Sequence, residues 1–134
     1  MNILLDTHIA IWALNDDPKL SAKARELILD PGNIIYYSAV SVWEVLLKHA
    51  RHPLKITFDE ADFSEGCQDA GYIPLTLAEK HILAVRALSR IPGSKEHSDP
   101  FGRLLLAQAK VEDMLFLTHD ELIPGYGENC VMLV

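Results

Sequence analysis

Apolar residues in this chain fall into two alternating patterns: short unbroken runs, and longer stretches in which they recur every three or four positions. Ile3-Leu4-Leu5, Ile34 to Tyr37, Tyr72 to Leu75, Met114 to Leu117 and Cys130 to Val134 are the short runs. Each is too brief for a helix and unbroken enough for a strand buried on both faces. Pro74 confines the third run to a sheet edge, because it has no amide to donate.

Between these runs the pattern turns helical. Thr7 to Leu14 suits a short buried helix ended by Asn15-Asp16-Asp17-Pro18, and Ser21 caps a second helix reaching Leu29. Ser38 or Ser41 begins a third, in which Val40, Trp43 and Leu47 mark the inner face and Glu44 borders it. Asp59 to Ala70 and Leu77 to Leu88 continue the series, the latter capped by Thr76 with Glu79 at the third helical position. Asp99 followed by Pro100 reads as an N-cap with proline at the first helical position. Short strands alternating with amphipathic helices predict an α/β fold, with helices on both faces of a central, mainly parallel sheet of four or five strands.

That architecture gives some acidic residues a common address. Asp6 follows the first strand and Asp120 follows the fourth, at the carboxyl edge where open parallel sheets bind ligands. Carboxylates gathered at one edge repel each other unless a cation sits among them, and an all-oxygen donor set selects Mg2+ or Mn2+. Such an ion neutralises phosphate oxygens and makes water more acidic, so phosphodiester hydrolysis is the matching chemistry.

Composition narrows the class. The chain has 134 residues, 49% of them hydrophobic, which suits one domain spanning 1–134. A formal charge of −7 argues against a general basic surface for nucleic acid, but does not exclude a nuclease whose cleft is locally offset by divalent ions. Two cysteines, Cys67 and Cys130, are too few for a disulfide framework, and a reducing cytoplasm fits. The start M-N-I-L-L-D lacks the features of a signal peptide, and no apolar run approaches a membrane span.

Four segments in order carry a resemblance: L-L-D-T-H-I-A-I-W (Leu4 to Trp12), S-A-V-S-V-W-E (Ser38 to Glu44), H-S-D-P-F-G-R-L-L-L-A-Q-A (His97 to Ala109) and T-H-D-E (Thr118 to Glu121). Together they resemble the PIN-domain ribonucleases, and within them the VapC-like toxins of bacterial type II toxin–antitoxin pairs. The resemblance implies a PIN-like three-layer α/β/α sandwich and an endoribonuclease dependent on Mg2+ or Mn2+. It also implies a homodimer neutralised by a cognate antitoxin that covers or enters the acidic cleft. Carried over by position, Asp6, Glu44 and Asp120 match the family's metal-site acids.

Gly102 departs from that pattern, since the motif there reads H-x-D-P-F-D-R and its second aspartate is the helix's acid. Asp99 lies one helical turn earlier on the same face and is the candidate substitute, as a metal and catalytic ligand or as a cap alone. The alternative reading is a catalytically degenerate PIN domain serving as a protein-binding module. A small phosphatase of unrelated α/β type ranks last, for want of a phosphate-cradling glycine loop.

Blander roles stand beside these. Asp6 suits a helix cap, Glu44 an exposed ion pair with Lys48, and Asp120 a turn. His49 and His52 lack a third zinc ligand nearby and read as surface. His8 and His119 adjoin proposed ligands and read as exposed neighbours or substrate contacts. Trp12 and Trp43 read as core, and Lys48, Arg51, Lys55 and Arg103 as surface charges able to meet phosphate. Ser38 and Thr118 either reach the site or end strands.

Overall fold

The computed structural model describes residues 1–134. Five strands, β1 (Asn2–Leu5), β2 (Ile34–Ser38), β3 (Ile73–Leu75), β4 (Leu115–Thr118) and β5 (Val131–Leu133), form one sheet in the order β3-β2-β1-β4-β5. Every neighbouring pair is parallel. The two outward walks from β1 reverse direction there, so the ends of β1 and β4 flank the switch point where such sheets open a crevice.

Alternation along the strands divides the core into two. Ile3, Leu5, Ile35, Tyr37 and Leu117 face one side, against α1 (Thr7–Leu14), α2 (Ala22–Leu29) and α4 (Glu60–Asp69). Leu4 and Phe116 face the other, against Leu105, Leu106 and Ala109 of α6 (Pro100–Val111). Helix α3 (Ala39–Arg51) contributes to both, through Val45 on the first side and Val40 on the second. The predicted three-layer sandwich is therefore observed, with all five strands parallel.

Most element ends follow the local chemistry. Ser21 caps α2 and Asp59 caps α4, where Asp62 returns the bond to the cap amide. Asp99 caps α6 ahead of Pro100.

Two expectations fail. Helix α5 (Glu79–Val85) starts at Ala78 rather than at Thr76 and stops short of Leu88. Its start is fixed by His81, which is buried: Nδ1 accepts the Ala78 amide at 2.9 Å, leaving Nε2–H for Glu112 at 2.9 Å. Trp43 is not in the core but 54% exposed; the buried face of α3 runs through Val40, Ser41, Glu44 and Val45. That rotation carries Glu44 from the border of the helix face into its centre.

Candidate active site

Asp6 ends β1 and begins α1, and both of its carboxylate oxygens are engaged. Oδ1 accepts the Thr7 amide at 2.8 Å, as a helix cap does, and Oδ2 accepts the Thr118 hydroxyl at 2.6 Å. Capping and site membership thus coexist in one side chain. Burial raises the Asp6 carboxyl from 3.8 to about 6, opposed by the two hydrogen bonds and reinforced by the charges of Glu44 and Asp99.

Thr118 closes β4 and bridges two of the acids. Its hydroxyl donates to Asp6 and accepts the Asp120 amide at 3.0 Å. Asp120 then turns the chain, Oδ1 accepting the Leu122 amide at 2.9 Å, while Oδ2 lies 3.1 Å from His97 Nε2.

Glu44 is buried, so the expected exposed ion pair is a half-true description. Lys48 does meet Glu44 Oε2, one helical turn on, but the carboxylate is inside and only the lysine is part-exposed. Oε1 lies 2.8 Å from Thr7 Oγ1, which is also 2.8 Å from Ser41 Oγ. A carboxylate can only accept, so Thr7 donates to Glu44 and accepts from Ser41.

Asp99 splits its two oxygens. Oδ1 caps α6 by accepting the Phe101 amide at 3.0 Å, and Oδ2 makes no hydrogen bond. Capping therefore leaves one carboxylate oxygen unengaged, so the two roles that the sequence set against each other are compatible in one side chain. Gly102 faces the same place: a Cβ there would stand 3.1 Å from Asp99 Oδ2 and 3.3 Å from His97 Cε1.

Asp6, Glu44, Asp99 and Asp120 all line a single cavity of about 310 Å³, with His8, Trp12 and His119. Trp12 sits between the two imidazoles, its ring 5.9 Å from His8 and 5.1 Å from His119. Burial and the Lys48 charge hold His8 below the ordinary histidine range, which keeps it neutral near pH 7. Of the other candidates, Ser38 is turned away, bonding Gln108 and capping α3. Arg103 lines a separate groove with Ile82, Val85, Arg86, Pro100 and Leu104. His49 is occupied by the Ile56 carbonyl at 2.6 Å.

The residue that sequence reasoning missed is His97. It stands in the quoted motif two positions before the cap, yet nothing in periodicity or charge pattern gave it a task. Its side chain is 1% exposed, and its ligand atom lies within 4.8 Å of those of Asp99 and Asp120.

The donor set fits a hard divalent cation. Four carboxylates line the cavity and no lysine or arginine does, Lys48 pairing with Glu44 from outside the lining, and one acid is buried deeply enough to resist ionising without a cation.

A parallel α/β/α sandwich with an acid-lined crevice at its switch point is the class of protein that fold and site define. The PIN domain model matches residues 3–128, and the chain belongs to the PIN domain family, whose members are generally nucleases. No curated protein matches the chain in sequence. Among solved structures it is similar to a chain in the crystal structure of VapBC2 from Rickettsia felis bound to a DNA fragment from their promoter. The TM-score is 0.68 at 15% identity, over 100% of this chain and 98% of that one.

Proposed function

We propose that the chain is a divalent-metal-dependent endoribonuclease that hydrolyses RNA phosphodiester bonds, and that it is the toxin of a toxin–antitoxin pair. The observation that carries the reading is the convergence of Asp6, Glu44, Asp99 and Asp120, from four separate segments, on one cavity at the carboxyl edge of the sheet. The toxin assignment is supported by the order of the four motifs and by the likeness in fold to a chain of VapBC2. A small antitoxin that covers the acidic cleft, and a dimeric toxin, follow from the same resemblance.

Asp6, Asp99, Asp120 and Glu44 would hold Mg2+ or Mn2+. When bound, the ion supplies charge neutralisation for the phosphate and acidity for the attacking water. The chain's own residues do the remaining work. Thr118 fixes Asp6 and the turn bearing Asp120, while Thr7 fixes Glu44. Neutral His8 offers a hydrogen bond rather than a charge at the cavity wall. The binding-module alternative rests on Gly102 alone, and the free Oδ2 of Asp99 beside Gly102 weakens it.

Incubation of the protein with single-stranded RNA in Mg2+ or Mn2+ tests the reading. Internal cleavage is expected, lost in chelator and lost in Asp6→Asn. Equal cleavage by that variant, or full activity in chelator, would overturn it.

A further inference from the structure

The missing side chain at position 102 does not leave a hole. A Cβ there would be 3.1 Å from Asp99 Oδ2, 3.3 Å from His97 Cε1 and 3.4 Å from Ile123 Cδ1. The first two contacts are tight and the third is ordinary packing, so the space above the first turn of α6 is already taken by an imidazole and a carboxylate.

The imidazole is held from behind. His97 Nδ1 lies 2.6 Å from the Tyr126 hydroxyl, and the two rings meet edge to face at 5.4 Å. Tyr126 is itself covered by the Arg90 guanidinium, 4.5 Å above its ring, and Arg90 is tied to the Leu122 and Lys95 carbonyls. An Nδ1–H donated to the Tyr126 oxygen leaves Nε2 with its lone pair, the arrangement by which metal-binding histidines are oriented. Nε2 then aims at Asp120 and Asp99, with all three ligand atoms within 4.8 Å of one another.

The spacing of one pair suits ligands sharing an ion as well as it suits a hydrogen bond. Two donors at right angles, each about 2.1 Å from an octahedral cation, stand about 3.0 Å apart. His97 Nε2 and Asp120 Oδ2 are 3.1 Å apart.

We propose that His97 Nε2 is a direct ligand of the divalent cation, completing with Asp99 and Asp120 a mixed nitrogen and oxygen site in place of an all-carboxylate one. The inference rests on the metal-dependent reading above and deepens it. Imidazole favours transition ions where oxygen donors alone favour Mg2+, so the site selects Mn2+ or Co2+ over Mg2+. The bland alternative is a histidine that only hydrogen-bonds Asp120.

Pulsed electron paramagnetic resonance of Mn2+ bound to the whole chain separates these. Nitrogen coupling from a directly bonded imidazole is expected, altered when histidine is labelled with 15N and absent in His97→Gln. Because His8 and His119 line the cavity, the variant His8→Gln with His119→Gln must retain the coupling; this arm stands even if His97→Gln does not fold. Calorimetry should show Mn2+ affinity about ten-fold or more weaker in His97→Gln, with the preference for Mn2+ over Mg2+ reduced. Bound Mn2+ without direct nitrogen coupling, or coupling lost with His8 and His119, overturns the inference and leaves the metal-dependent reading standing. Failure of Mn2+, Co2+ and Mg2+ alike to bind overturns both.

Discussion

The hydroxyl of Thr118 donates to Asp6 Oδ2 at 2.6 Å, joining residues 112 positions apart, and the same oxygen accepts the Asp120 amide at 3.0 Å. One side chain at the end of a central strand thereby sets the distance between the acids of β1 and β4. The register beneath it is part of the same device, since Leu5 pairs with Leu117 and brings the two strand ends level.

Thr118→Val keeps the shape and removes both bonds. A buried carboxylate oxygen left without its donor costs about 1–3 kcal/mol, so urea denaturation should show a loss in that range near neutral pH. The loss should shrink below pH 5, where protonated Asp6 no longer needs the donor. A loss independent of pH would mean that the bond to Asp6 does not carry the effect.

Asp6 makes folding depend on pH in a definite direction. Its carboxyl is raised from 3.8 to about 6 in the folded chain, so the folded state holds the proton more tightly than the unfolded one. The stability this brings is fully present below pH 3.8 and is lost as pH rises through about 6. The difference is worth about 3 kcal/mol. Asp6→Asn cannot ionise, so in chelator its stability relative to wild type should climb by that order between pH 4 and pH 7. A relative stability flat across that window would show that Asp6 is not the strained acid. With Mn2+ present the climb should be smaller, because the cation relieves the buried charge.

Lys48 is the only protein cation on a buried acid of the cleft. Lys48→Met removes it and strands the charge of Glu44. Lys48 is part-exposed, so a destabilisation of about 1–2 kcal/mol is expected, below the range for fully buried pairs. Added Mn2+ should then raise the melting temperature of Lys48→Met more than that of wild type. An equal rise would place Glu44 outside the reach of the ion.

The elements of the fold were largely legible because each rests on local chemistry. Apolar runs marked the strands, while Ser21, Asp59 and Asp99 marked helix starts through bonds to their own first turns. The acids were legible from their place after strands and in ordered motifs. What was not legible depended on distant partners. Trp43 was misplaced because its helix turns its other side, with Glu44, toward the core. Helix α5 starts late because buried His81 bonds the Ala78 amide and Glu112, a residue 31 positions away. His97 acquires its meaning only from Tyr126 and Asp120, 29 and 23 positions further on.

Gly102 supplies the sharpest test of how tightly the site is built. In an ordinary helix, glycine to alanine gains up to about 1 kcal/mol through lower backbone entropy in the unfolded chain. Here the new methyl would meet Asp99 Oδ2 at 3.1 Å, His97 Cε1 at 3.3 Å and Ile123 Cδ1 at 3.4 Å. The imidazole is pinned by Tyr126 and cannot retreat without losing that bond, so the carboxylate of Asp99 must yield. Gly102→Ala should therefore show none of the usual gain in urea denaturation. Displacement of Asp99 should also weaken Mn2+ binding several-fold in calorimetry. The full helix-propensity gain with unchanged Mn2+ affinity would mean that the first turn of α6 is loose, and that His97 and Asp99 are not held as a unit.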